Sequence, residues 1–240
     1  MITITSACAS WLPAPVPMHT RASTQQAGHH ARCLLVMLPG LGDDDSVFID
    51  HGFVAALRER ELSVDVITAA ASLGYYAQNT LRSRLEADVL GPAQRVGYDQ
   101  IWFAGVSLGG FGSIMMAHDH AKELAGIILL APYLGDDDLL DEIAQAGGVD
   151  RWQPGTIKPA DYEREMWRWL KDATAHPTTA PAIYLAAADQ DKLAAGHRLL
   201  AHVLAPERRF RTRGNHDWEP WQILWADFLD HSDFAARCVP

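Results

Sequence analysis

Cysteine is scarce in this chain: Cys8, Cys33 and Cys238 are the whole complement in 240 residues. An odd number, with two near opposite ends and no ligand-like spacing, points to neither a disulfide framework nor a metal cluster. Cys33 lies in an apolar run and is expected as a small buried hydrophobe. Long hydrophobic runs are lacking too. No stretch reaches the ~18 consecutive apolar residues of a membrane span. The N-terminus has no positive segment leading into an apolar one, so no secretory signal is expected and the default location is cytoplasmic. Positive charge is in deficit: 20 Lys and Arg against 30 Asp and Glu give a net charge of −10. No basic cluster is long enough to track a phosphate backbone, which argues against nucleic acid as a partner. The densest basic stretch, Arg208–Arg213, reads as an edge-like strand with one solvated face.

The remaining composition is that of a globular protein, 48% hydrophobic and 21% charged, long enough for one α/β domain or two small ones. Residues 1–31, with Pro13, Pro15 and Pro17 at alternate positions, are expected as an extended N-terminal arm or a first edge strand. His29 and His30 fall in this segment and are read as solvated.

Residues 32–240 have an α/β rhythm. Short apolar runs at 32–38, 64–69, 100–106, 124–130, 181–188 and 208–213 read as strands. Helical patterns at 47–61, 78–96, 108–120, 192–204 and 218–236 separate or follow them. The alternation predicts a mostly parallel sheet flanked by helices. The interval 133–180 breaks the rhythm with Asp136–Asp138, Gly147-Gly148 and a helix-like 162–171, as a short lid insertion would.

Gly105-Val106-Ser107-Leu108-Gly109 follows the third of those runs and opens a helix. A serine between small residues at a sharp strand-to-helix turn is how a fold presents a nucleophilic hydroxyl. Such a hydroxyl needs a base. Of the 11 histidines, His118 and His120 face different sides of a helix, and His197 and His202 carry no signal beyond helix packing. His216 stands in the polar loop 213–218 after the last run, at the sheet edge that also carries Ser107. The base in turn needs a carboxylate. Asp189 and Asp191 follow the fifth run, and either could serve while the other caps the next helix. The N–H of Leu108 and one in the loop 38–42, from Leu41, would form an oxyanion hole.

Together these residues resemble the α/β-hydrolase superfamily, specifically its small serine esterases of the carboxylesterase and esterase-D-like groups. The resemblance runs over roughly Arg32 to Asp230. It rests on Leu38-Pro39-Gly40-Leu41-Gly42, on 105–109, on Asp189-Gln190-Asp191 and on Gly214–Trp218. The Gly-x-x-Asp often seen at the acid appears as Ala188 and Asp191, which favours Asp191 over Asp189. The usual His-Gly of the oxyanion loop is Pro39-Gly40, and the sheet is expected to be shorter than the family's eight strands.

The resemblance implies hydrolysis of carboxylic esters, short to medium and neutral, through Ser107, His216 and Asp191, with no metal or organic cofactor. Asp43-Asp44-Asp45 lacks metal-ligand spacing and is read as solvated loop charge. Tyr75, Tyr76, Tyr133, Leu134, Trp167, Trp169 and Trp218 are candidates for the substrate pocket. An acyltransferase or thioesterase on the same fold is the alternative reading, and a non-catalytic ligand-binding protein a more distant one. Oligomeric state is left open.

Overall fold

The computed structural model describes residues 12–25 and 29–239; Cys8 and the rest of residues 1–11 and 26–28 lie outside them. Among the described residues seven strands form one sheet: β1 Thr20–Ser23, β2 Cys33–Leu38, β3 Val64–Ala69, β4 Gln100–Val106, β5 Gly126–Leu130, β6 Ala182–Ala188 and β7 Arg209–Thr212. Their spatial order is β1-β3-β2-β4-β5-β6-β7. All pairs are parallel except β1 with β3. Part of the segment 1–31 is therefore an antiparallel edge strand.

The central strands are buried on both faces, as a parallel sheet between helix layers requires. Leu34, Val36 and Leu38 point to one layer and Cys33, Leu35 and Met37 to the other. The first layer holds α3 Leu73–Ala77, α4 Leu81–Leu85, α5 Gly91–Val96, α6 Leu108–Asp119, α7 Asp137–Gln145, α8 Tyr162–Ala175 and α9 Ala194–Val203. The second holds α1 Val47–Asp50, α2 Phe53–Glu59, α10 Trp218–His231 and α11 Phe234–Arg237.

Several expected elements are subdivided, each for a local reason. The helix expected over 47–61 breaks at Gly52, which takes φ 77°. Residues 81–96 are helical throughout but carry a π turn at Glu86–Leu90. Pro92 has no N–H and its ring would strike the carbonyl of Asp88, so the widened turn removes the conflict. The closing helix stops at His231 and restarts at Phe234. The insertion 133–180 contains a helix that periodicity had not singled out, α7.

Two expectations are corrected. Cys33 is not a free hydrophobe: it forms a disulfide with Cys238, with Cα atoms 5.6 Å apart. The two lie 205 positions apart, and only the return of the last helices under β2 brings them together. The acidic triplet is not uniformly solvated either. Asp44 is exposed, but Asp45 is buried, with Arg21 Nε at 3.0 Å and His19 Nδ1 at 2.7 Å from its carboxylate. That pair of contacts fastens the β1 segment to the loop after β2.

Candidate active site

Ser107 joins β4 to α6 at φ 52° and ψ −115°, a conformation costly for any residue with a Cβ. Backbone contacts hold it there. Ser107 N–H donates to Leu130 O at 3.0 Å, and its carbonyl accepts from Gly110 N at 3.0 Å and Tyr133 N at 2.9 Å. The flanking glycines are a steric necessity. A Cβ on Gly105 would lie 2.0 Å from Gly109 O, and one on Gly109 would lie 2.0 Å from Leu38 O.

The loop after β7 brings His216 over this serine, with Nε2 at 3.0 Å from Ser107 Oγ. Its Nδ1 lies 2.8 and 3.0 Å from the two carboxylate oxygens of Asp191. An ionised carboxylate only accepts, so the proton sits on Nδ1 and Nε2 is left to receive the serine hydroxyl proton. The Asp191 side chain is fully buried. Burial opposes its ionisation most strongly. Hydrogen bonds from His216 and from Leu193 N (2.8 Å), with the nearby imidazoles, outweigh it and hold the carboxyl below its ordinary range.

Asp189 is elsewhere. It accepts from Gly214 N at 3.2 Å, and its own N–H donates to Thr212 O, so it fastens the loop that carries His216. It caps no helix; the side chain bonded to the backbone entering α9 is Asp191's. Trp221 sets its ring edge-on against His216, with centroids 4.8 Å apart.

The loop after β2 passes beside the serine: a Cβ on Gly40 would be 3.6 Å from Ser107 Cβ. Neither Leu41 N–H nor Leu108 N–H forms a hydrogen bond among the described residues, so both donors are open. Leu41 itself is half exposed.

A cleft of about 140 Å³ adjoins Leu108, walled by Tyr75, Tyr76, Phe111, Tyr133 and Tyr162 with Arg82 among its lining. Each tyrosine hydroxyl with a known partner is turned away to a protein acceptor. Tyr75 donates to Pro15 O, Tyr76 to Leu108 O and Tyr133 to Glu163. Burial, reinforced by the Glu163 and Asp136 carboxylates, pushes the Tyr133 phenol far above its ordinary pKa. Burial likewise raises the phenols of Tyr75 and Tyr76, so these three rings line the cleft in their neutral form.

Four pocket candidates, Leu134, Trp167, Trp169 and Trp218, do not belong to this cleft. Trp167 is buried and donates its Nε1–H to Leu134 O, so both residues bind the insertion into the core. Trp169 packs near His118 instead. Trp218 stacks on His51 and meets Phe48, Phe53 and Trp221 in the second layer. Conversely, Phe111 and Tyr162 were missed. They come from the first turns of α6 and α8, where periodicity marks them only as helix-face residues. Among the described residues, no three His, Cys, Asp or Glu side chains are gathered as a metal site would need.

No protein-family model matches the chain, and no curated protein matches its sequence. Solved structures do match. A ferulic acid esterase superposes with a TM-score of 0.61 at 14% identity, over 92% of this chain and 98% of the other. An S-formylglutathione hydrolase from Staphylococcus aureus gives 0.59 at 17% identity, over 84% and 81%. An enol-lactonase from Burkholderia xenovorans gives 0.54 at 19% identity, over 89% and 96%. The chain has the α/β-hydrolase fold. In this α/β-hydrolase frame the site residues follow three parallel strands: Ser107 after β4, Asp191 after β6 and His216 after β7. The serine–aspartate–histidine order is the one the fold uses.

Proposed function

We propose that this protein is a serine hydrolase acting on carboxylic esters. The observation that carries the proposal is the unbroken hydrogen-bonded line from Ser107 through His216 to Asp191 on a strained turn. Three titratable or nucleophilic groups held this way have no structural task that a simpler packing would not serve.

In the reaction, Ser107 Oγ attacks the ester carbonyl carbon while His216 Nε2 takes its proton. The carbonyl oxygen becomes an oxyanion facing the N–H groups of Leu41 and Leu108. Asp191 stabilises the imidazolium that forms. His216 then gives the proton to the leaving alkoxide, so the alcohol departs and an acyl-serine remains. Water adds to that acyl group with His216 again as base, and collapse returns the carboxylic acid and free Ser107. No other group is needed to balance either half.

The cleft beside Leu108 receives the acyl group. Its aromatic walls favour an apolar chain or ring, and about 140 Å³ limits that group to a short one. The esterase, thioester-hydrolase and lactonase neighbours all cleave acyl–oxygen or acyl–sulfur bonds by their names, in keeping with the proposal. The Cys33–Cys238 bond weighs against the cytoplasmic setting expected from the sequence, because reducing compartments keep such thiols free.

Labelling with a fluorophosphonate probe tests the nucleophile. The wild-type chain is expected to label and Ser107→Ala to remain unlabelled; labelling that survives the substitution would remove Ser107 from the role. Turnover of p-nitrophenyl esters is expected to fall as the acyl chain lengthens beyond what the cleft holds.

A further inference from the structure

A second cleft, of about 250 Å³, lies at the β7 edge of the sheet, beyond the Asp191 loop. Its lining follows from two periodicities. Ala194, His197, Arg198, Ala201 and His202 are spaced as one face of α9, and Arg209 and Arg211, two apart on β7, share a strand face. Leu185 and Ala187 of β6 supply an apolar floor. Three guanidinium groups and two imidazoles therefore surround one space, against a single carboxylate, Asp189.

This excess of positive charge stands out on a chain of net charge −10. Some arginines outside the cleft have acidic partners, as Arg60 with Asp230, Arg164 with Glu142 and Arg237 with Asp233; the cleft is distinguished by gathering three that do not. Among the described residues, no acidic side chain pairs with Arg198, Arg209 or Arg211, and Arg209 bonds only the carbonyl of Ala201. If the edge strand needed charge merely to discourage pairing with another chain, partial neutralisation by nearby acids would serve equally well. The cleft is open and Arg198, Arg211 and His202 are exposed, so water and salt screen part of their mutual repulsion, and an anion bound among them would remove more of it.

His197 forms the inner wall of the cleft. It is 4% exposed, and its Nε2–H donates to Pro132 O at 2.9 Å. That fixes Nδ1 as a bare acceptor, and it is buried with no partner among the described residues. Burial, opposed by the nearby Asp191 charge, keeps the ring neutral by lowering its pKa. Its Nδ1 is sealed within the protein and does not open into the cleft.

We propose that this cleft binds a small metabolite bearing a phosphate or carboxylate group, held by the forked N–H donors of Arg198, Arg209 and Arg211. Arginine matches both oxyanions in two-point geometry, and the floor of Leu185 and Ala187 would carry the ligand's apolar part. The site is distinct from the tyrosine-lined cleft beside Leu108. It is nevertheless mechanically close to the triad. Asp191 stands at the entry to α9, and Pro132, the partner of His197, precedes Tyr133, whose N–H holds the Ser107 carbonyl. Occupancy would thus bear on the Asp191–His216 pair, a consequence that rests on the function proposed above, whereas binding itself does not.

Calorimetry of the oxidised, full-length chain tests it, with inorganic phosphate and with succinate as probes and sodium chloride matching the ionic strength. Saturable binding of either probe is expected with a Kd below about 10 mM. Phosphate alone would identify a phosphorylated ligand, and succinate alone a carboxylate. Arg198→Ala with Arg211→Ala should weaken binding about tenfold or more. Arg213→Ala, on the same strand end but outside the cleft, should leave binding unchanged. Heats no different from chloride for both probes, wild-type affinity in the double variant, or equal weakening by Arg213→Ala would each overturn the proposal. Fluorophosphonate labelling of the same samples reports on Ser107 separately, so loss of one reading leaves the other standing.

Discussion

At Ser107 the backbone accepts a conformation that only glycine takes freely, and the same residue is the proposed nucleophile. Stability and function therefore pull in opposite directions at this position. Ser107→Gly should raise the unfolding free energy by about 1–3 kcal/mol while abolishing turnover; chemical denaturation and an ester assay on the same preparation measure both. The two acids separate in the same way. Asp191→Asn should lower kcat by about 10⁴-fold, whereas Asp189→Asn should cost far less, because Asp189 touches the Gly214 backbone and not the imidazole.

The pH dependence of stability also belongs to single residues. The Asp191 carboxyl is held below its ordinary value in the folded state. Its stabilisation is present in full above the unfolded pKa near ~3.9 and is lost as pH falls through the lower folded value. His197 is depressed too, but from about 6.5. The unfolded chain takes that proton first, so stability declines as pH drops below ~6.5. Urea titrations at pH 7.5 and 5.5 should show a smaller decline in His197→Gln, whose amide can still donate to Pro132 O. An equal decline in both would assign the effect to other histidines.

At the level of elements, the elbow and the strands around it are legible in sequence because their constraints are local. Gly105 and Gly109 are needed within five residues of each other, and each central strand is an uninterrupted apolar run. The π turn at Glu86–Leu90 is less visible, since only Pro92 announces it. The cleft proposed for the acyl group is less visible still: Tyr75, Phe111, Tyr133 and Tyr162 come from four separate segments, and no pattern within one of them says that the rings converge. Trp167 shows the opposite error, an aromatic in the insertion that packs inward because its indole N–H finds Leu134 O. Removing one wall tests the cleft. Tyr162→Ala should shift the preferred p-nitrophenyl ester toward longer acyl chains, with kcat/KM for the shortest one falling; an unchanged chain-length profile would exclude this cleft as the acyl site.

Across the whole molecule, the two helix layers and seven-stranded sheet follow from the α/β alternation, but the covalent closure does not. Cysteine spacing says nothing about a pair separated by nearly the entire chain. The Cys33–Cys238 bond ties the start of β2 to the segment after α11, and Ser63 N–H adds a hydrogen bond to Cys238 O. Cys238→Ser should cost about 2–4 kcal/mol. Urea melts of that variant should coincide with those of reduced wild-type protein, while oxidised wild type unfolds at higher denaturant.

The same bond makes the chain a closed ring from Cys33 to Cys238. A protease that nicks it once, at the exposed Gly147 turn after α7, would leave both pieces in one covalent particle. Such a nicked molecule would keep Ser107 on one fragment and His216 on the other, still clasped over a shared sheet. It would run as a single band on a gel until thiol is added, and then as two.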